Sequence, residues 1–163
     1  MKKDSIPAST RVICLGNLWR GDDAVGLLAA RELRKRLATT TRVLEAEGDG
    51  LAFLDLLDKT DRVILVDAVM RGGQPGQIIR LDLSQESRWG AAVPCSTHAF
   101  GLGEAIDLAR TLGRLPPLVI FYGIVIESVE PGAPLSNPVQ AGIEHIVSQV
   151  KEEVERAPCT KCI

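Results

Sequence analysis

A three-layer αβα sandwich around a mostly parallel, twisted sheet of about five strands is the fold class the sequence predicts. Three observations carry it. Short apolar, β-branched runs alternate with longer stretches of helical spacing along the whole chain. The segment RVILVDAV (62–69) is apolar almost throughout, as a buried strand is. The 163 residues hold no repeat, low-complexity stretch or linker, which favours one domain with length enough for a proper core.

The elements follow in order. RVICLG (11–16) stops at Gly16-Asn17 and reads as a buried strand. DDAVGLLAARELRKRL (22–37) has helical spacing. Val25, Leu28, Ala29, Leu33 and Leu37 share its apolar face, while Arg31, Glu32, Arg34, Lys35 and Arg36 face solvent. Acids at its start and bases at its end complement the helix dipole. RVLEAEG (42–48) is a second strand and GLAFLDLLDKT (50–60) a short helix. Strand 62–69 carries Asp67 near its end and runs into the glycine-rich turn MRGGQPG. QIIRLDL (77–83) alternates, which suits an edge or half-exposed strand. A polar loop, SQESRWGAAVPCSTHAF, leads to a helix over 101–113. PLVIFYGIVI (117–126) is the last central strand. Residues 137–155 form an amphipathic helix with Val139, Ile143, Ile146, Val147 and Val150 inward. This divides the chain into an extension (1–10), an α/β domain (11–155) and a tail (156–163).

Composition removes several classes of function. The net charge of −2 and the lack of a basic block leave no electrostatic footprint for nucleic acid. The apolar runs are strand-sized, far short of the ~20 residues of a membrane-spanning helix. The N-terminus MKKDSIPAST has no apolar stretch behind its lysines, so it does not read as a secretory signal, and a cytoplasmic location is expected. Four cysteines fit: Cys14 in a strand, Cys95 in a loop, and Cys159 and Cys162 as a terminal C-x-x-C. In a reducing compartment these are thiols or metal ligands rather than a disulfide framework.

In an open α/β sheet, ligands bind beyond the carboxyl ends of the strands. Asp22 and Asp23 follow the first strand, Asp67 ends the third, and His98 precedes the helix at 101. Two carboxylates and an imidazole make a plausible three-ligand set for zinc or nickel, both of which take nitrogen and oxygen donors. Plainer readings stand beside it. Asp22 can cap the helix with Asp23 in its first turn, worth ~1 kcal/mol. Asp67 can bond a neighbouring amide, and His98 can bridge a loop. The only other histidine, His145, is mid-helix, which leaves His98 the one nearest the crevice. Competing motifs fail. LGNLWRGDD lacks G-x-G-x-x-G spacing, and Trp19 and Arg20 obstruct the close backbone approach a pyrophosphate needs. There is no Walker lysine and no G-x-S-x-G elbow. Cys95 and His98 lack an orienting partner for nucleophilic catalysis.

CLGNLWRGDDAVG, ILVDAVMRGGQPG and STHAFGLGEAIDLARTLG, in that order and spacing, resemble the [NiFe]-hydrogenase maturation proteases. The Y-G-I strand and the L-S-x-x-V stretch at Leu135–Val139 fit as well. The resemblance implies a cytoplasmic endopeptidase that removes a short C-terminal extension from the hydrogenase large-subunit precursor after nickel insertion. It implies nickel contacts at Asp23, Asp67 and His98, with the nickel supplied by the precursor rather than permanently bound. Asp23 and Asp67 are then the catalytic candidates, one serving as general base, with the metal polarising the carbonyl, activating water or only docking the substrate. The family admits Glu or Asp at the first position; Asp23 is a shorter arm than Glu by about one bond length. Asn17, Asp22, Gly72, Gly73 and Gly76 are candidates for shaping the site, the glycines either by letting the loop approach an extended substrate tail or merely by making a tight turn. The expected protein acts as a monomer. A non-catalytic metal-binding module that docks on the precursor is the alternative, and an α/β nucleotide binder is disfavoured by the missing phosphate loop. The tail APCTKCI is either a frayed terminus or a mimic of the substrate's own C-x-x-C that helps handle metal.

Overall fold

The computed structural model describes residues 9–47, 51–57, 62–70, 73–84 and 101–156. Its elements are β1 (Thr10–Gly16), a 3-10 turn (Gly21–Ala24), α1 (Val25–Arg36), β2 (Arg42–Glu47) and α2 (Leu51–Leu54). They continue with β3 (Arg62–Val69), β4 (Ile78–Asp82), α3 (Leu102–Thr111), β5 (Leu118–Val125) and α4 (Asn137–Glu155). The strands form one five-stranded sheet in the order β2-β1-β3-β5-β4, with β4 antiparallel at its edge and the rest parallel. The alternating pattern of QIIRLDL belongs to that edge, where β4 is half-buried.

Strand alternation divides the core in two. On one face Val12, Cys14, Ile64, Val66 and Ile120 meet Val25, Ala29 and Leu33 of α1 and Val139, Ile146 and Val150 of α4. On the other, Ile13, Leu15, Val63, Leu65 and Phe121 meet Phe53 of α2 and Ala105, Ile106 and Ala109 of α3. β3 lies between β1 and β5 and is buried at all eight positions, which is why its sequence is apolar with almost no interruption.

Chain direction across the sheet reverses after β1. The β1-α1-β2 unit runs to one edge, and the chain then returns past β1 to lay down β3 on its other side. A crevice opens at such a switch point, outside the carboxyl ends of β1 and β3. The 3-10 turn after β1 and Asp67 near the end of β3 both lie there.

Candidate active site

The first strand ends in a turn held by its own backbone. The Asn17 amide donates to the Asp23 carbonyl at 3.0 Å, Asp23 N–H to the Arg20 carbonyl at 3.0 Å, and Arg20 N–H to the Asn17 carbonyl at 3.3 Å. The Asn17 side-chain oxygen accepts the Trp19 amide at 2.9 Å, a local Asx contact. Asn17 thus fixes this turn from both ends. Gly21, at φ 54°, passes so close to the Ser128 carbonyl that a Cβ would sit 2.9 Å from it.

Asp22 does not cap α1. That helix starts at Val25, and neither it nor the preceding 3-10 turn has a side-chain cap. The Asp22 carboxylate is instead drawn to the loop between β5 and α4. Its Oδ2 accepts the Glu127 and Ser128 amides at 3.0 and 3.2 Å and the Ser136 hydroxyl at 2.8 Å; its Oδ1 accepts the Ser136 amide at 2.6 Å. The Asp22 amide in turn donates to the Ser128 carbonyl at 3.0 Å. Four donors on one buried carboxylate satisfy its charge without a counter-cation. Ser136 occupies the N-cap position of α4, yet its hydroxyl serves Asp22 rather than the helix.

With Asp22 committed to this latch, Asp23 is the member of the pair that meets Asp67. Each is only 1% exposed. Burial pushes the Asp67 carboxyl well above the ordinary carboxylate range, and the neighbouring Asp23 charge pushes it the same way. The Ala68 amide, which donates to Asp67 Oδ1 at 2.8 Å, opposes both. Two buried carboxylates close enough for one to raise the other are an arrangement that acid–base hydrolysis can use.

The remaining sequence candidates divide three ways. His98 and Gly72 lie outside the described residues, as do Cys95 and the Cys159/Cys162 tail. Among the described residues no three His, Cys, Asp or Glu side chains come together as a metal group. Gly73 is exposed in the turn before β4. Gly76, at φ 88°, donates to the Val125 carbonyl at 2.8 Å, and a Cβ there would collide with the backbone of Pro138 at the start of α4. Its glycine serves the packing of that turn on the helix. Ser128 and Ser136 are the residues sequence reasoning missed. Ser136 stands inside the L-S-x-x-V stretch, but nothing local shows that its partner lies 114 positions earlier.

A model of the hydrogenase maturation protease family matches residues 27–153, beginning just after the Asp22–Asp23 pair and including Asp67 and His98. The hydrogenase expression/formation protein HupD of Bradyrhizobium diazoefficiens is 31% identical over 132 residues, 79% of this chain and 69% of that protein. The hydrogenase 2 maturation protease of Escherichia coli is 28% identical over 142 residues, 85% of this chain and 86% of that protein. The structure of the hydrogenase-maturating endopeptidase HybD from E. coli has a TM-score of 0.75 at 25% identity, covering 89% of this chain and 91% of its own. The chain belongs to the hydrogenase maturation protease family. Its activity is that of an endopeptidase, a hydrolase of peptide bonds.

Proposed function

We propose that this endopeptidase removes the C-terminal extension of a [NiFe]-hydrogenase large-subunit precursor after nickel insertion, and that it reads the inserted nickel through Asp23, Asp67 and His98. The observation that carries the reading is the pair of buried carboxylates, Asp23 and Asp67, at the switch point of the sheet. Nickel belongs to the substrate. A set of two carboxylates and an imidazole holds it weakly beside the precursor's cysteine thiolates, so the metal marks a mature precursor rather than staying with the protease. The carboxylate pair takes a proton from water as the water oxygen adds to the scissile carbonyl. It returns a proton to the amide nitrogen as the C–N bond breaks. Asn17 and Asp22 hold the turn that presents Asp23. The peptidase domain spans 11–155 and acts as a cytoplasmic monomer. Among the described residues no helix is long and apolar enough to cross a membrane.

Incubating nickel-loaded and nickel-free precursor with the protein, then weighing the large subunit by mass spectrometry, tests this reading. Loss of a C-terminal peptide is expected from the loaded form alone, and Asp23→Asn, Asp67→Asn and His98→Ala are each expected to abolish it. Stable complex formation without truncation in the wild type points instead to a docking module. Full activity of His98→Ala removes that residue from the nickel contacts.

A further inference from the structure

A tryptophan left open to water keeps a large apolar face available to a partner, and several such side chains at one end of a sheet make a candidate contact surface. Among the described residues only four large hydrophobic side chains are exposed. Three of them stand at the carboxyl end of the sheet: Leu18 and Trp19 between β1 and the 3-10 turn, and Met70 immediately after β3. Trp19 is 81% exposed, Met70 41% and Leu18 38%. The carboxylates they neighbour in sequence, Asp23 and Asp67, are buried at 1%. Floor and rim therefore differ sharply in character: the floor is charged and closed, the rim apolar and open.

The rim is also held in place. The Trp19 amide donates to the Asn17 side chain at 2.9 Å, and the Trp19 carbonyl accepts the Gly132 amide at 2.8 Å. Met70 follows Val69, whose carbonyl accepts the Ile126 amide at 2.9 Å. An indole whose backbone is tied on both sides loses little freedom when something covers it, and aromatic anchors of that kind dominate binding at protein interfaces.

We infer that Leu18, Trp19 and Met70 form the docking rim for the precursor, seating a short apolar run of its chain beside the scissile bond. The inference rests on the endopeptidase reading. The occupant follows from position: the substrate is a polypeptide, and this rim stands at the same end of the sheet as Asp23 and Asp67, where the scissile bond must come. Trp19 is then a specificity residue that touches substrate away from the reacting atoms. Arg20, next along, is half-buried and leaves the indole as the dominant feature of the loop.

The test measures cleavage of nickel-loaded precursor by wild type, Trp19→Ala, Trp19→Phe and Met70→Gln, with kcat and KM determined separately. Trp19→Ala is expected to raise KM at least tenfold with the loss falling on KM rather than kcat; Met70→Gln should raise it severalfold, and Trp19→Phe should recover most of the wild-type value. The same loss should appear as weaker binding of loaded precursor by the Trp19→Ala, Asp23→Asn double variant than by Asp23→Asn alone. Thermal unfolding of each variant shows that the fold is intact. An unchanged KM and unchanged binding for Trp19→Ala, in a protein that still cleaves, overturn the rim while leaving the endopeptidase standing. A wild type that binds but never cleaves overturns the endopeptidase reading, and the rim with it. Conversion of a dimer to a monomer by Trp19→Ala with KM unaltered assigns the patch to a second copy of this chain and overturns the proposal.

Discussion

Asp22 and Asp23 are adjacent, equally buried and chemically identical, yet they do different work. Asp22 collects four donors from residues 127–136, whereas Asp23 lends its charge to the neighbourhood of Asp67. Replacing Asp22 by Asn turns one acceptor oxygen into a donor that faces amides already donating. Asp22→Asn is therefore expected to lose roughly 2–3 kcal/mol of stability in urea unfolding and to slow cleavage partially. Asp23→Asn should do the reverse, ending cleavage with little loss of stability. Asp67→Asn should be at least as stable as wild type at neutral pH, measured by urea unfolding. It removes a charge that burial and Asp23 both oppose, and its amide oxygen can still accept the Ala68 amide. An Asp67→Asn protein less stable than wild type would show that another contact already offsets that strain. At this scale the sequence placed Asp23 and Asp67 at the same end of the sheet, where the structure buries both, because strand ends and motif spacing are local signals. It offered Asp22 as a helix cap or a shaping residue but could not name its partners, which lie 105 to 114 positions away.

Helix α4 shows how an element is fastened by one buried carboxylate. Glu153 receives Arg62 at 2.9 Å, Arg80 at 2.8 Å and the Tyr122 hydroxyl at 2.8 Å. Arg62 also donates to the last carbonyls of the helix, those of Glu153 and Arg156, and so closes its C-terminus. Burial alone would raise the Glu153 carboxyl, but Arg80 and Tyr122 outweigh it and hold it below the ordinary range; the same burial pushes the Tyr122 phenol up to about 12. A depressed carboxyl contributes stability that is present above its unfolded value of about 4.3 and is lost as pH falls through the folded value. Glu153→Gln strands two guanidinium groups and should cost roughly 3 kcal/mol at pH 7, with the gap to wild type narrowing below about pH 4.3; urea midpoints from pH 3 to 7 measure both. A gap that stays constant with pH would mean that Glu153 acts by packing alone. Helical spacing predicted α4 closely because its apolar face is continuous. It placed the start of α1 too early, since Asp22 and Asp23 look like a first helical turn until one sees that tertiary partners hold them in a 3-10 turn.

For the molecule as a whole, apolar patterning specified strands and helices but not the order of strands in the sheet. Alternation of elements implied parallel pairing, and the half-polar β4 implied an edge. That β5 lies between β3 and β4 could be read from neither, because the placement depends on which edges remain free after the other strands have paired. The crevice inherits this limit. Its two carboxylates come from the first half of the chain, whereas the loop that latches the neighbouring Asp22 comes from the last third.

That division has a consequence for the newly made chain. As it leaves the ribosome, β2 and β3 can each pair with β1, but β4 has no neighbour until residues 118–125 arrive to fill the gap beside it. The donors for Asp22 come later still, at Glu127, Ser128 and Ser136. Asp23 therefore receives its scaffold only once translation has passed the start of α4. The order of the chain thus places the fastening of the turn that carries Asp23 after most of the sheet has been made.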